Sequence, residues 1–561
     1  MLLRPYQQAA VDAVLTARRR GVRRQVVALP TGAGKTVIFS ELARLARRPV
    51  LVLAHRAELV EQAADKLARA LGDRSLVGIE QASVAAPAGT RAVVASIRSL
   101  SDERLARLAE THDFGLVIYD ECHHAPADDN TRVLEALGAT QPDWAGTLVG
   151  FTATTSRGDG RGLDAIFDEL VFSLGIDELI DQGFLAPLRG FRIATAADLR
   201  NVHGGADFDE EELALAIDIE DRNVLVARSI QELARDRRTI AFCVTVAHAS
   251  HLARALNALG VRTGIVHGAL PRDARQSVLA DFRAQKLQAL TNVGVLTEGF
   301  DDPGVSCIAM ARPTRSEGLY AQCVGRGTRL FEGKKDCLVL DFVDLADLSL
   351  QTLPGLAGLP RDLDLEGNDT REASRTLQRI WFDAPGFEIE AGAITLGEIQ
   401  RRAAAFDPLT LGVDPEVTAI SPFAWESLGS RGVALHWFGG PRSAADGRLS
   451  EVLVLRTGAR GRKWTVTRDG KAVARFTHIE EAVEATDFEV RRQGRVAESS
   501  AFPRAAWRHA PVPARLQRAL LNLPRRRAVT TWGDAVAVLC HAEHGPRSGW
   551  SFPHESQRVR V

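Results

Sequence analysis

The chain has 561 residues, of which 45% are hydrophobic and 25% charged, and a formal net charge of -1. That is the make-up of a globular protein with room for several cores, and the length suggests more than one domain. It excludes a membrane span, since no apolar run approaches ~18 residues, and the six cysteines form no C-x-x-C pair, so neither a zinc ribbon nor a disulfide framework is indicated.

The opening residues, MLLRPYQQ, contain no apolar signal core, so a cytoplasmic location without a membrane partner is expected. Residues 1–172 alternate short apolar runs with helical patterns. QVVAL (25–29), PVLVLA (49–54), AVVAS (92–96), GLVIYD (115–120) and TLVGFT (147–152) read as strands. Near-continuous apolar strands of this kind fit a parallel sheet covered on both faces. Residues 173–224 read as a connector with an acidic stretch, DFDEEE. The alternation resumes over 225–345, with strands at 239–244, 262–267, 288–293, 306–311 and 337–342. Residues 346–430 read as a linker and acidic segment. Over 431–492 the runs VALHWF, EVLVLRT, KWTVTR and KAVARF, with Asp469-Gly470 between the last two, predict a small α+β module containing a tight hairpin. Residues 493–561 read as a basic helical tail, with Thr531 as the N-cap of its last helix. The final 71 residues of the chain hold thirteen arginines against four acidic residues, a candidate surface for nucleic acid or a protein partner. Only seven of the 70 basic residues are lysine, so some arginine runs are background. Seven of the eight tryptophans follow residue 380. Most read as core, while Trp507 and Trp550 stay open between core and base stacking. The fold class is therefore α/β: two tandem parallel-sheet domains, then a small α+β C-terminal region.

Chemistry concentrates between the first predicted strand and helix, in ALPTGAGKTVIF (28–39). Gly32 and Gly34 free the backbone to turn its N–H groups onto phosphate oxygens, and the following helix adds its positive end. Lys35 suits the β- and γ-phosphates and Thr36 suits Mg²⁺. Leu29 stands where the strict G-x-x-x-x-G-K-[ST] pattern has its first glycine. A second site ends the strand VIYD. Asp120 suits a Mg²⁺ held through water, and Glu121 suits polarising an attacking water. His123 reads as a hydrogen-bonding coupler and His124 is left unassigned, because Mg²⁺ prefers oxygen donors.

PTGAGKT, DECHH (120–124) and FTATT (151–155) resemble motifs I, II and III of the DEAD/DEAH group of superfamily 2 helicases. TNVGVLTEGFDDP (291–303) and QCVGRGTRL (322–330) resemble motifs V and VI. VLAHRAELVEQ, ASIRSL, LRPYQQ and, more loosely, IAFCVTVAHA resemble motifs Ia, Ib, the adenine-reading Gln motif and motif IV. Order and spacing agree over about 345 residues. Within the superfamily the chain is similar to the branch of the bacterial RadD protein and the XPB helicases. It lacks the cysteine-rich segments that RadD-type proteins can carry.

The resemblance implies two tandem RecA-like domains with ATP and Mg²⁺ between them. Gln7 would read adenine, Thr31 would belong to the phosphate loop and Asp301 would meet the ribose. Arg326 and Arg329 would close as fingers on the γ-phosphate, with Gln322 near the phosphates or water. His55, Arg56, Ser96, Thr245 and Thr291 would contact nucleic-acid phosphates, and Thr152 and Thr154 would link hydrolysis to lobe movement. The implied function is an ATP-dependent nucleic-acid motor. DNA is the favoured track, on resemblance alone. An RNA helicase, an ATP-switched clamp without unwinding, and the motor subunit of a defence system remain as rivals.

Overall fold

The computed structural model describes residues 3–545 except 55–56, 126–127, 142, 154–162, 298–299, 346–349, 385–386, 390–393, 458–462 and 524–528; the side chains of 57–58 and 128–129 are also outside the description. The chain divides into two compact units, 1–371 and 372–561.

The first unit carries two parallel sheets. Strands β1 (Arg24–Ala28), β2 (Val50–Ala54), β3 (Val77–Glu80), β4 (Ala92–Ser96), β5 (Leu116–Asp120), β6 (Thr147–Thr152) and β7 (Glu169–Ser173) form a seven-stranded sheet in the order β3-β4-β2-β5-β6-β1-β7. Every residue of β2, β4 and β6 is buried. This is why those runs are apolar without alternation: helices cover both faces. Leu51, Leu53, Val93, Val117 and Leu148 belong to one core. Truncating such a leucine to alanine typically costs ~2–5 kcal/mol.

From β1 the chain passes through the helix Lys35–Leu45 to β2, stepping over β6 and β5. The loop leaving β1 therefore opens onto the tips of β5 and β6. Ala28 is level with Thr152, and Asp120 with Phe151. Ligands of open α/β sheets bind at such strand ends.

The second sheet comprises β8 (Leu188–Asp198), β9 (Thr239–Phe242), β10 (Thr263–His267), β11 (Ala289–Val293), β12 (Cys307–Met310) and β13 (Cys337–Leu345), in the order β10-β11-β9-β12-β13-β8. Here residues 188–198 of the connector expected over 173–224 prove to be part of this sheet. Its eleven-residue strand β8 pairs in parallel with β13 from Leu188 opposite Cys337 onward. The helix Glu220–Leu233 is tied to β13 by a buried ion pair, Arg222 to Asp344, through bonds of 2.8 and 2.9 Å. Breaking one partner of such a pair costs ~3–5 kcal/mol. The linker expected from 346 also begins as packed structure. Leu353 donates its backbone N–H to Asp341 at 2.7 Å, and Gly367 donates to Gly190 O at 2.8 Å.

In the second unit five antiparallel strands follow one another in sequence order: Glu426–Ser427, Gly432–Phe438, Leu449–Thr457, Lys463–Arg468 and Lys471–Phe476. The predicted hairpin is present. Asp469 and Gly470 both have positive φ, 47° and 79°, the conformation a type I′ turn requires. The helix Ile479–Arg492 packs on this sheet. Its Ile479, Ala482, Val483 and Val490 share one core with Trp425, Val433, Leu435, Trp437 and Val454.

The basic tail is helical as expected, over Arg495–Ala501, Ala506–His509, Ala514–Leu521 and Trp532–His544, and Thr531 caps the last of these by accepting from Asp534 N. It is also core. Trp507 is buried beside Phe438 and Trp532, with its indole N–H on Ser500 O at 2.8 Å. Trp550 and Arg525–Arg527 lie outside the described residues. Among the described residues no helix is long and apolar enough to cross a membrane.

Candidate active site

The phosphate loop leaves β1 with Leu29 donating to Thr152 O at 2.9 Å, and its helix begins at Lys35. Gly32 and Gly34 have φ of 89° and 79°, a region other residues enter at a cost. At Gly34 a Cβ would also stand 2.7 Å from the Gln7 amide nitrogen. Gln7 donates to Ala33 O at 3.2 Å, and Tyr6 donates its hydroxyl to the same oxygen at 2.6 Å. The first helix thus braces the loop from behind, and Gln7 is buried against it.

The Lys35 ammonium lies 3.4 Å from Leu29 O and 3.4 Å from Glu121 Oε1; the two side chains are only 10% and 9% exposed. Glu121 has φ of 54°, an uncommon conformation for a non-glycine residue that accompanies the turn of its carboxylate inward. Among the described residues its Oε2 is buried without a hydrogen bond, 3.4 Å from His123 Nδ1, and His123 Nδ1 is 3.3 Å from Thr152 Oγ1. Glu121, His123 and Thr152 therefore form a chain linking the tips of β5 and β6. Asp120 ends β5, partly exposed.

The second sheet's residues meet this loop directly. A Cβ at Gly32 would stand 3.2 Å from Thr328 Oγ1 and 3.4 Å from Arg329 Cγ, and one at Gly325 would collide with Thr31 Cβ. Two glycines, one from each half, thus let the halves touch. Thr31 Oγ1 is buried with no hydrogen-bond partner among the described residues.

Arg326 is buried and donates to Thr297 O at 2.8 and 3.1 Å and to Phe300 O at 2.9 Å. Arg329 pairs with Asp301, and burial lowers its pKa. Gln322 is buried on the helix Glu317–Gly325.

Two lysines join the seam that motif reading did not find. Lys66, on the helix Ala57–Leu71, lies in the field of Asp301, Arg329 and Asp120, and burial lowers its pKa. The Lys334 ammonium reaches the carbonyls of Pro303, Val305, Gly327 and Arg329, at 2.8 Å for the last. Burial pulls it down to about 8. No motif in the sequence marks either of them; distant segments bring them to the seam.

The expected nucleic-acid contacts are placed less uniformly. Ser96 ends β4, buried. Thr245 caps the helix Val246–Ala258, accepting from His248 N at 3.2 Å. Thr291 is fully buried in β11, its hydroxyl away from solvent and without a hydrogen bond among the described residues. His55, Arg56 and Thr154 lie outside the described residues.

Two parallel-sheet lobes, a glycine-rich loop whose lysine meets a buried acid on one, and Arg329 of the other against that loop define the two-lobed phosphate-loop class. Residues 1–157 match the family described as the type III restriction enzyme res subunit, and 222–330 match the helicase conserved C-terminal domain. Residues 1–330 thus carry the paired domains found in superfamily 2 helicases.

The irc3 chain of Schizosaccharomyces pombe, provisionally named a mitochondrial ATP-dependent helicase, is 36% identical over 64% of this chain and 60% of its own. Its Saccharomyces cerevisiae counterpart, IRC3, provisionally named an ATP-dependent helicase, is 31% identical over 66% of this chain and 55% of its own. A Halobacterium salinarum chain provisionally named a DNA 3'-5' helicase, Rad25, is 26% identical over 58% of this chain and 52% of its own. The chain thus spans little more than half the length of these relatives.

Proposed function

We propose that this chain is a nucleic-acid-dependent ATPase that moves along DNA, in the RadD- and XPB-like branch, serving repair or recombination. The observation that carries the reading is the seam: Arg329 of one lobe lies against Gly32 of the other's phosphate loop. The name of the Rad25 relative favours DNA.

In this reading ATP is the substrate, cradled by Thr31 to Thr36. Its γ-phosphate competes with Glu121 for Lys35, freeing the carboxylate to orient water. Thr36 and Asp120 offer the oxygen donors that Mg²⁺ requires, and the ion would neutralise phosphate charge there. For Arg326 and Arg329 to act as fingers they exchange backbone carbonyls and Asp301 for phosphate oxygens. Gln7 serves adenine, Asp301 the ribose, and Gln322 the phosphates or water. His123, Thr152 and Thr154 relay the result, and His55, Arg56, Ser96, Thr245 and Thr291 belong to the track. The basic C-terminal region is a candidate second contact for DNA or a protein partner, and a cytoplasmic location is retained.

The test is the ATPase rate across single-stranded DNA, duplex, forks and matched RNA. Stimulation by DNA is expected; stimulation by RNA alone overturns the choice of track. Lys35→Ala is expected to abolish turnover, and Arg329→Ala to lower it by on the order of 10³-fold. Glu121→Gln should stop hydrolysis while ATP still binds.

A further inference from the structure

The second unit contains a cluster that the motor reading does not use. His436 and Glu451 stand directly opposite each other on the paired strands Gly432–Phe438 and Leu449–Thr457. Cys540 and His544 are one turn apart on the helix Trp532–His544, so they share a face. Two strands and a helix therefore deliver an imidazole, a carboxylate, a thiol and a second imidazole to one place.

Glu451 is the hub of the cluster. Glu451 Oε2 is 3.1 Å from His436 Nε2 and 3.7 Å from Cys540 Sγ, and Glu451 Oε1 is 3.5 Å from His544 Nε2. Donors placed tetrahedrally at zinc bond lengths are separated by roughly 3.3–3.6 Å. Glu426, His436 and Cys540 also bring ligand atoms within 4.8 Å of one another.

A second observation points the same way. Glu426 Oε2 and His436 Nδ1 are 3.0 Å apart and buried, on the side of the ring away from Glu451. The carboxylate is thus placed to hold the ring from its Nδ1 side, with Nε2 turned to Glu451. Glu426 is itself held by Arg508 at 2.9 Å. A carboxylate behind a histidine is the usual support of a metal ligand.

We propose that His436, Glu451, Cys540 and His544 form a structural zinc site, with Glu426 as the positioning residue behind His436. Thiolate and imidazole donors select zinc over magnesium or calcium. Two neutral imidazoles, one thiolate and one carboxylate balance the ion's two charges. The site clips the last described helix to the sheet, and it shares no residue with the nucleotide seam.

The test is metal analysis of the untagged full chain, followed by Co²⁺ titration of chelator-treated protein. About one zinc per chain is expected, with a cobalt–thiolate absorption band on reconstitution. Cys540→Ser should remove the band, and Cys243→Ser, in the other unit, should keep it. Glu426→Gln should keep the metal but lose it to chelator ~10-fold more readily. A metal-free full chain that gives no cobalt–thiolate band with Co²⁺ overturns the proposal and leaves an ion-pair network. The wild-type measurements decide even if the variants fail to fold.

Discussion

Lys334 shows how one side chain can govern residues it does not resemble. Its ammonium gathers carbonyls from 303–305 and 327–329, flanking Asp301 on one side and carrying Arg329 on the other. Lys334→Met leaves those carbonyls short of a donor, at ~1–3 kcal/mol for a buried group. With Arg326 and Arg329 acting at the transition state as proposed, turnover should fall ~10-fold or more with a smaller change in KM. Steady-state kinetics on the variant checks this.

Asp341 gives a pH prediction. It is buried, accepts from Tyr320 Oη at 2.6 Å and from Leu353 N at 2.7 Å, and burial pushes it up to about 6. The folded chain therefore holds this proton more tightly than the unfolded chain, whose carboxyl titrates near ~4. The contribution to stability is fully present below that value. It declines as pH rises and is lost once pH has passed the folded value, by up to roughly 3 kcal/mol in all. Urea unfolding of Asp341→Asn against the parent should show that slope reduced.

At the scale of elements, Gly432 anchors the second unit. Its φ is 138°, and a Cβ there would collide with Val454 O. Gly432→Ala should cost ~3 kcal/mol or more, read as earlier melting of this unit. How far elements could be read from sequence depended on how locally their cause is written. Strands β2 and β4 were legible because both faces are covered and the run is unbroken. Strand β8 was not: it is an edge strand with glycine and arginines in it, and its burial alternates. The Asp469-Gly470 turn was legible because its chemistry lies in two adjacent residues. The phosphate loop and the tip of β5 were legible for the same reason. Lys66, Lys334 and the His436 cluster become visible only when distant segments meet.

At the scale of the whole molecule, the basic tail must be probed with care. Arg508 is buried against Glu426, while Arg491 and Arg492 face Glu498 and Glu489. Part of the tail's charge is thus balanced within the fold. Deleting 491–561 removes Trp507, Trp532 and Cys540 from the core, so the expected first effect is unfolding of the second unit, detected by limited proteolysis. Charge reversal at Arg515 and Arg518 is the cleaner probe of DNA affinity and of its salt dependence.

The scarcity of lysine has a practical consequence. Lys286, Lys335, Lys463 and Lys471 are exposed, whereas Lys35, Lys66 and Lys334 are sheltered at the seam. An amine-acylating reagent read by peptide mass spectrometry therefore meets four exposed reference sites and three reporters, so any change of shelter at the seam on adding ATP can be followed without adding a dye.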